Sequence, residues 1–231
     1  MQTFYKTLLG STALLGLIAC SGTDDMAMTD SYTITVTNLS ANQPITPVAA
    51  VLHNDGYMGW TLGATASTGL EKMAEGGDTT DFIADAMSST AVTTTQTGTG
   101  IILPGGAETL TVNLPADMTA SKLTLAAMLA NTNDAFIGTS GMDISDLASG
   151  MNKTFMLKAM DAGTEANTEA AGTLPGPADG GTGYDITRDD ILDKVTIHAG
   201  IVSMDDGLST SVLNETHRWN GAVAKVVVEK M

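Results

Sequence analysis

Hydrophobic and polar residues alternate with period two over residues 32–39, where Tyr32, Ile34 and Val36 are separated by threonines. Successive side chains of a strand point to opposite faces, so this segment predicts a β-strand with one buried face. Comparable segments lie at residues 48–53, 108–114, 122–129, 154–159, 195–201 and 222–229. The inward set is Leu123, Leu125, Ala127 and Leu129 in one of these, and Ala224, Val226 and Val228 in the last. Between the second strand and Ile101 the period changes. Leu70, Met73 and Ala74 fit one helical turn, and Asp78 is placed to cap a helix carrying Phe82, Ile83, Ala86 and Met87 on one side. Residues 92–100 are rich in Thr and Gly and read as a loop. A second long loop, 170–183, carries Pro175, Pro177 and several glycines. Strands interrupted by two short helices predict an all-β fold, an antiparallel β-sandwich with short inserted helices.

The N-terminus has a different pattern. Lys6 precedes an apolar run from Leu8 to Ala19, too short for a stable membrane-spanning helix and laid out like a signal-peptide core. It ends in Leu17-Ile18-Ala19-Cys20, similar to a bacterial lipobox. That likeness implies a lipoprotein signal peptide over 1–19, cleavage before Cys20 and acylation of that cysteine. An ordinary signal peptide with an incidental cysteine is the simpler alternative. Cys20 is the only cysteine, so no internal disulfide can form and the odd thiol needs a role. Several acyl chains on one residue would anchor the protein firmly, at about 0.8 kcal/mol per buried CH₂. Ser21 follows, where Asp would be the usual inner-membrane retention signal, so an outer-membrane lipoprotein of the bacterial envelope is expected. Residues 20–30 are small, polar and acidic and read as a flexible tether, leaving 31–231 as one β-sandwich domain with a sizeable core.

A formal net charge of −16 argues against nucleic-acid binding, because phosphate contacts need Lys and Arg. It suits divalent cations or cationic partners, although a solvated acidic surface accounts for much of it. His53, His198 and His217 are scattered without a zinc spacing, and packed or surface histidines are the simpler reading. There is no nucleophile elbow, phosphate loop or thiol chemistry beyond Cys20. Trp60, beside Tyr57 and two glycines, could line a ligand surface, or more simply tuck against a sandwich edge.

Two acidic clusters remain, Asn131-Thr-Asn-Asp134-Ala-Phe136 and Asp161-Ala-Gly-Thr-Glu165, each closing or following a strand. In an extended chain Asp161 and Glu165 would stand about 13 Å apart, too far for one ion. Gly163 permits a sharp turn that could bring both within reach of one cation, with Asp134 from a neighbouring loop completing an oxygen cage suited to Ca²⁺. The alternative is that these acids are turn formers and solvated loop residues.

The stretches Tyr32-Thr-Ile-Thr-Val-Thr-Asn-Leu39, Ala66-Ser-Thr-Gly-Leu70 and Ala74-Glu-Gly-Gly-Asp78 resemble the spondin N-terminal domain family, of F-spondin and mindin type, as found in bacterial lipoproteins. So do Leu129-Ala-Asn-Thr-Asn-Asp-Ala-Phe-Ile-Gly138, Asp161-Ala-Gly-Thr-Glu-Ala-Asn167 and Val223-Ala-Lys-Val-Val-Val228, in order, from about residue 31 to the end. The resemblance implies a C2-like antiparallel β-sandwich whose Ca²⁺ ligands fall on Asp134, Asp161 and Glu165. Two departures touch the site: the aromatic is displaced to Phe136, and Glu165 stands where the family motif has Asp. The expected function is a lipid-anchored, Ca²⁺-binding module for adhesion or partner recognition, not an enzyme. Its partner would be an extracellular or envelope protein or a glycan, with membrane attachment through the N-terminal lipid. A metal-dependent envelope hydrolase would need a general base that the chain does not clearly offer beyond the proposed ligands. A structural envelope lipoprotein without a specific ligand is the remaining alternative.

Overall fold

The threonine alternation becomes β1 (Ser31–Asn38), whose Tyr32, Ile34 and Val36 are buried while the threonines stay half-exposed. The computed structural model describes residues 30–231. The leader at 1–19, Cys20 and the tether through residue 29 lie outside the described residues. The other strands are β2 (Ala49–His53), β3 (Val92–Thr97), β4 (Ala107–Asn113), β5 (Lys122–Met128), β6 (Ala135–Asp143), β7 (Asn152–Asp161), β8 (Thr196–Ile197) and β9 (Ala222–Lys230). Every pairing is antiparallel, in the order β3-β2-β5-β6-β7-β9-β1-β4, with β8 added on β7. The fold is the predicted antiparallel β-sandwich, nearly closed, with two short helices.

One strand joins the two sheets. Residues 152–158 of β7 pair with β9, a register shift follows Leu157, and residues 159–161 pair with β6. A strand that changes sheet this way makes a sandwich corner. At the other side β3 touches β4, and Glu108 Oε1 accepts from the Thr99 N–H at 2.6 Å, tying the β3 exit to β4.

Between the sheets lies the main core, which holds the predicted inward set Leu123, Leu125, Ala127 and Leu129. A second core covers the outer face of β2, β5 and β6, where α1 (Thr68–Gly76) and α2 (Thr80–Met87) lie. This is why β2 is buried at every position and β5 at nearly every one, instead of alternating like β1. Ser67 caps α1 by accepting from the Leu70 N–H, and Gly77 closes it in the left-handed region at φ 71°. For α2 the cap residue is Thr79, one later than predicted. Asp78 still acts there, accepting from the Thr80 N–H at 2.9 Å. Phe82 and Ala86 are buried, whereas Met87 is exposed.

Three segments differ from the sequence reading. Residues 92–97 are a strand rather than a loop: Thr suits an edge strand, but the polar residues after Val92 hide the alternation. Strand β6 was not foreseen, because Gly138 and Gly141 interrupt its pattern. The expected strand at 195–201 shrinks to β8, two residues long, within a largely irregular stretch from 162 to 221.

The strand pairings define two poles. Tyr32 pairs with Lys230 and Asn152 with Glu229, so the chain enters where β7 begins. Asp161 ends β7 at the opposite pole, roughly 30 Å away at 3.3 Å per residue. At the entry, Asp30 is clasped by the Leu114 N–H and an ion pair to Lys230. Among the described residues no helix is long and apolar enough to cross a membrane.

Candidate metal centre

The connection from β5 to β6 is a fully buried turn, Asn131-Thr132-Asn133-Asp134. The Thr132 hydroxyl holds it internally, donating to the Leu129 carbonyl at 2.7 Å and accepting from the Ala135 N–H at 3.1 Å. The other three side chains hold the long irregular segment. Asn131 Oδ1 accepts from the Ala178 N–H at 2.9 Å, and Asn133 Oδ1 accepts from the Glu169 N–H at 3.2 Å. Asp134 Oδ2 accepts from the Thr164 and Glu165 N–H groups at 2.8 and 3.2 Å. In the expected region, Asp134 is therefore a docking post for the Asp161–Glu165 loop.

That loop curls as its glycine predicts. Asp161 Oδ1 accepts from the Gly163 N–H at 2.9 Å, and Gly163 takes φ 70°. A Cβ at Gly163 would clash with the Lys194 backbone, so both conformation and space require glycine. Asp161 Oδ2 accepts from Asn167 Nδ2 at 2.7 Å. Asn167 Oδ1 in turn contacts His198 Nε2 at 3.1 Å. The Gly200 N–H donates to His198 Nδ1, leaving the proton of a neutral ring on Nε2, facing the Asn167 oxygen. Burial holds His198 below the ordinary histidine range, with Asp161 opposing that shift. This Asp–Asn–His chain fixes the Asp161 carboxylate; it spans 37 residues of sequence, and no short motif announces its histidine.

The three predicted ligands are brought to one pole but face different surroundings. Asp161 lines a cavity of about 570 Å³ with Asp190. Glu165 lines a smaller, polar cavity of about 210 Å³ with Asp185 and Asp189. Asp134 lies within electrostatic reach of both. Burial, then the Asp161 charge, raises its carboxyl from 3.8 to about 7. Burial, then the Glu75 charge, raises Glu165 to about 8, with Asp134 contributing. Among the described residues no group of three or more His, Cys, Asp or Glu side chains stands where it could hold a metal ion.

Glu75 is a site acid that the sequence reading did not single out. It sits in the last turn of α1, 1% exposed, and its Oε2 accepts from the Asp185 N–H at 2.9 Å. An acid near a helix C-terminus is disfavoured by the helix dipole, and that misplacement was the available signal. Nearby, Arg188 joins buried Glu71 at 2.7 Å and Asp193 at 2.8 Å, strapping the 185–195 segment to α1. Among the described residues, no ion pair reaches Asp134, Asp161, Glu165 or Glu75. Asp134 Oδ1 and Glu75 Oε1 are buried without a hydrogen-bond partner. Each of these carboxylates has donors on its other oxygen only, and a buried charge with no cation beside it carries a heavy desolvation cost. A cation bound at these bare oxygens would relieve that cost.

The remaining sequence candidates resolve as packing. Trp60 is tucked against Phe136, rings edge-on at 5.0 Å, and near Phe82 at 6.5 Å. His53 is buried, with Nε2 2.9 Å from the Thr124 hydroxyl.

Residues 39–173, more than half of the chain, match the family model described as Spondin_N. The match spans both helices, Asp134, Asp161 and Glu165, and leaves out β1 and β9. A comparison with curated proteins found no match.

Proposed function

The chain belongs to the spondin N-terminal domain family, and from that premise we propose that it is a Ca²⁺-binding adhesion module held at the bacterial cell surface by a lipid on Cys20. The family is an extracellular, adhesion-type and non-enzymatic kind of domain. The observation that carries the metal reading is the partnerless, buried Oδ1 of Asp134 beside the Asp161–Glu165 loop. Asp134, Asp161 and Glu165 would hold the ion, with water and backbone carbonyls filling the six to eight positions Ca²⁺ takes. The ion would supply positive charge at a pole crowded with carboxylates. The protein's own residues do the positioning: Asn167 and His198 orient Asp161, while the Thr164 and Glu165 amides orient Asp134. With neither Cys nor His among the three ligands, the site favours Ca²⁺ over transition metals.

Thermal melting with and without Ca²⁺ tests this. An ion that binds only the folded state at a hundredfold excess over Kd adds about 2.7 kcal/mol, or roughly 5–10 °C for a chain of this size. The wild type should show that shift and Asp161→Asn much less of it. Equal shifts in both would remove Asp161 from the ligand set.

Lipid anchoring has its own test. Mass spectrometry of the native N-terminus should find an acylated Cys20, and labelled palmitate should not enter Cys20→Ala. A free Cys20, or cleavage elsewhere, would rule the anchor out.

A further inference from the structure

The segment after residue 184 exposes apolar side chains in the middle of acids. Ile186 is 81% exposed, Ile191 97% and Leu192 62%, while Asp185, Asp189, Asp190 and Asp193 surround them in sequence. Arg188, which could neutralise this stretch, is already committed to Glu71 and Asp193. The segment is not a loose tail. Val195 donates its N–H to the Ala64 carbonyl at 2.9 Å and is fully buried, and the Arg188 strap fixes the other side. Ile191 and Leu192 are therefore held out on a supported rim, where exposed apolar area normally marks a contact surface.

Beside them is the cavity of about 570 Å³, lined by Asp161, Asp190, Lys194 and the apolar Ile191 and Leu192. We propose that this cavity is a docking site for a basic residue of a partner protein, a Lys or Arg flanked by apolar side chains. This deepens the adhesion reading by naming the partner's chemistry, and it does not require Ca²⁺, which on Asp161 would compete with the incoming cation. With no ion on Asp161, two carboxylates against one lysine leave negative charge facing the incoming group; with Ca²⁺ there, only Asp190 opposes Lys194 and the cation is held less tightly. A cationic head reaches Asp190 while its alkyl stem and apolar neighbours cover Ile191 and Leu192. Charge excludes two other occupants. An anionic bilayer would be repelled by the surrounding aspartates, and a second copy of a chain with net charge −16 presents few cations to meet them.

The test uses the mature soluble chain and three fluorescent peptides centred on Leu-Lys-Leu, Leu-Glu-Leu and Gly-Lys-Gly, each measured in Ca²⁺ and in EGTA. The Leu-Lys-Leu peptide should bind best, and its amide-shift footprint should fall on residues 161–167 and 190–196. Asp190→Asn, which keeps the side-chain acceptor for the Leu192 N–H, should weaken it about fivefold. Ile191→Ser with Leu192→Ser should weaken it about tenfold or more, as expected for two uncovered apolar side chains. Both variants change exposed or rim groups and should melt like wild type. Equal binding of Leu-Lys-Leu and Gly-Lys-Gly overturns the apolar wall, and unchanged binding in Asp190→Asn overturns the acidic anchor. Preferential binding to phosphatidylcholine–phosphatidylglycerol vesicles, or self-association in place of peptide binding, overturns the choice of partner. Weaker peptide binding in Ca²⁺ than in EGTA is expected if Asp161 holds the ion, and equal binding in both leaves this proposal standing while the metal reading fails.

Discussion

In chelator, the wild-type protein should lose stability relative to Asp134→Asn as pH rises from about 4 to about 8. The Asp134 carboxyl is raised from 3.8 to about 7 by burial and by Asp161. Below pH 4 it is protonated in folded and unfolded chains alike and costs nothing. Between 4 and 7 the folded state keeps a proton that the unfolded state has released, so stability falls with rising pH. Above 7 the folded state holds an unpaired buried charge. About three pKa units correspond to roughly 4 kcal/mol. Glu165, raised to about 8 by burial and Glu75, moves the same way and extends the window upward. Burial lowers His53, His198 and His217, so their contribution runs oppositely and is lost as pH falls through their folded values. Comparison with Asp134→Asn removes that background, because the amide oxygen still accepts from Thr164 and Glu165. Saturating Ca²⁺ should reverse the ranking at pH 8. Denaturant titrations at several pH values, each with EGTA or Ca²⁺, read all of this; parallel pH profiles for the two proteins in EGTA would show that Asp134 ionises without penalty.

The second large effect is at Gly163. Gly163→Ala must place a Cβ at φ 70° and against the Lys194 backbone nitrogen and oxygen. The left-handed conformation costs on the order of 1 kcal/mol for a non-glycine residue, and a forced backbone shift typically 1–3 more. A loss of about 2–4 kcal/mol is expected, together with a weaker Ca²⁺ response, since Asp161 and Glu165 flank the turn. Gly172→Ala is the control. Its φ is 87°, but its Cβ would meet nothing within 4 Å, so only the conformational cost remains. If the two variants lose equal stability, the Lys194 contact is not rigid and the loop is less firmly packed than the structure implies.

The sandwich was legible in the sequence where one face of a strand meets solvent, as in β1, or where a strand is apolar throughout, as in β5. It was illegible where polarity is nearly uniform, as in β3, or where glycines break the alternation, as in β6. For the site, the local pieces could be read: Gly163 demands a turn, and Asp134 follows a strand. Nothing local could place Glu75 beside Glu165, because that meeting depends on α1 packing over the outer sheet face. Nor could spacing alone show that Asp161 and Glu165 open onto separate cavities. The loop divides them because Asp134 binds the backbone between them, at Thr164 and Glu165.

The two poles have a mechanical consequence. A partner bound beside Asp161 and a membrane holding the chain ahead of Asp30 would pull on opposite ends of the sandwich, along the strands. The tension would enter through β1, which lies between β4 and β9 with seven residue pairs on each side. Pulled lengthwise, those hydrogen bonds are loaded together in shear instead of being peeled one at a time. Its neighbour β9 is gripped equally, by seven pairs to β1 and seven to β7, so the load would pass into the most extensively paired part of the sheet.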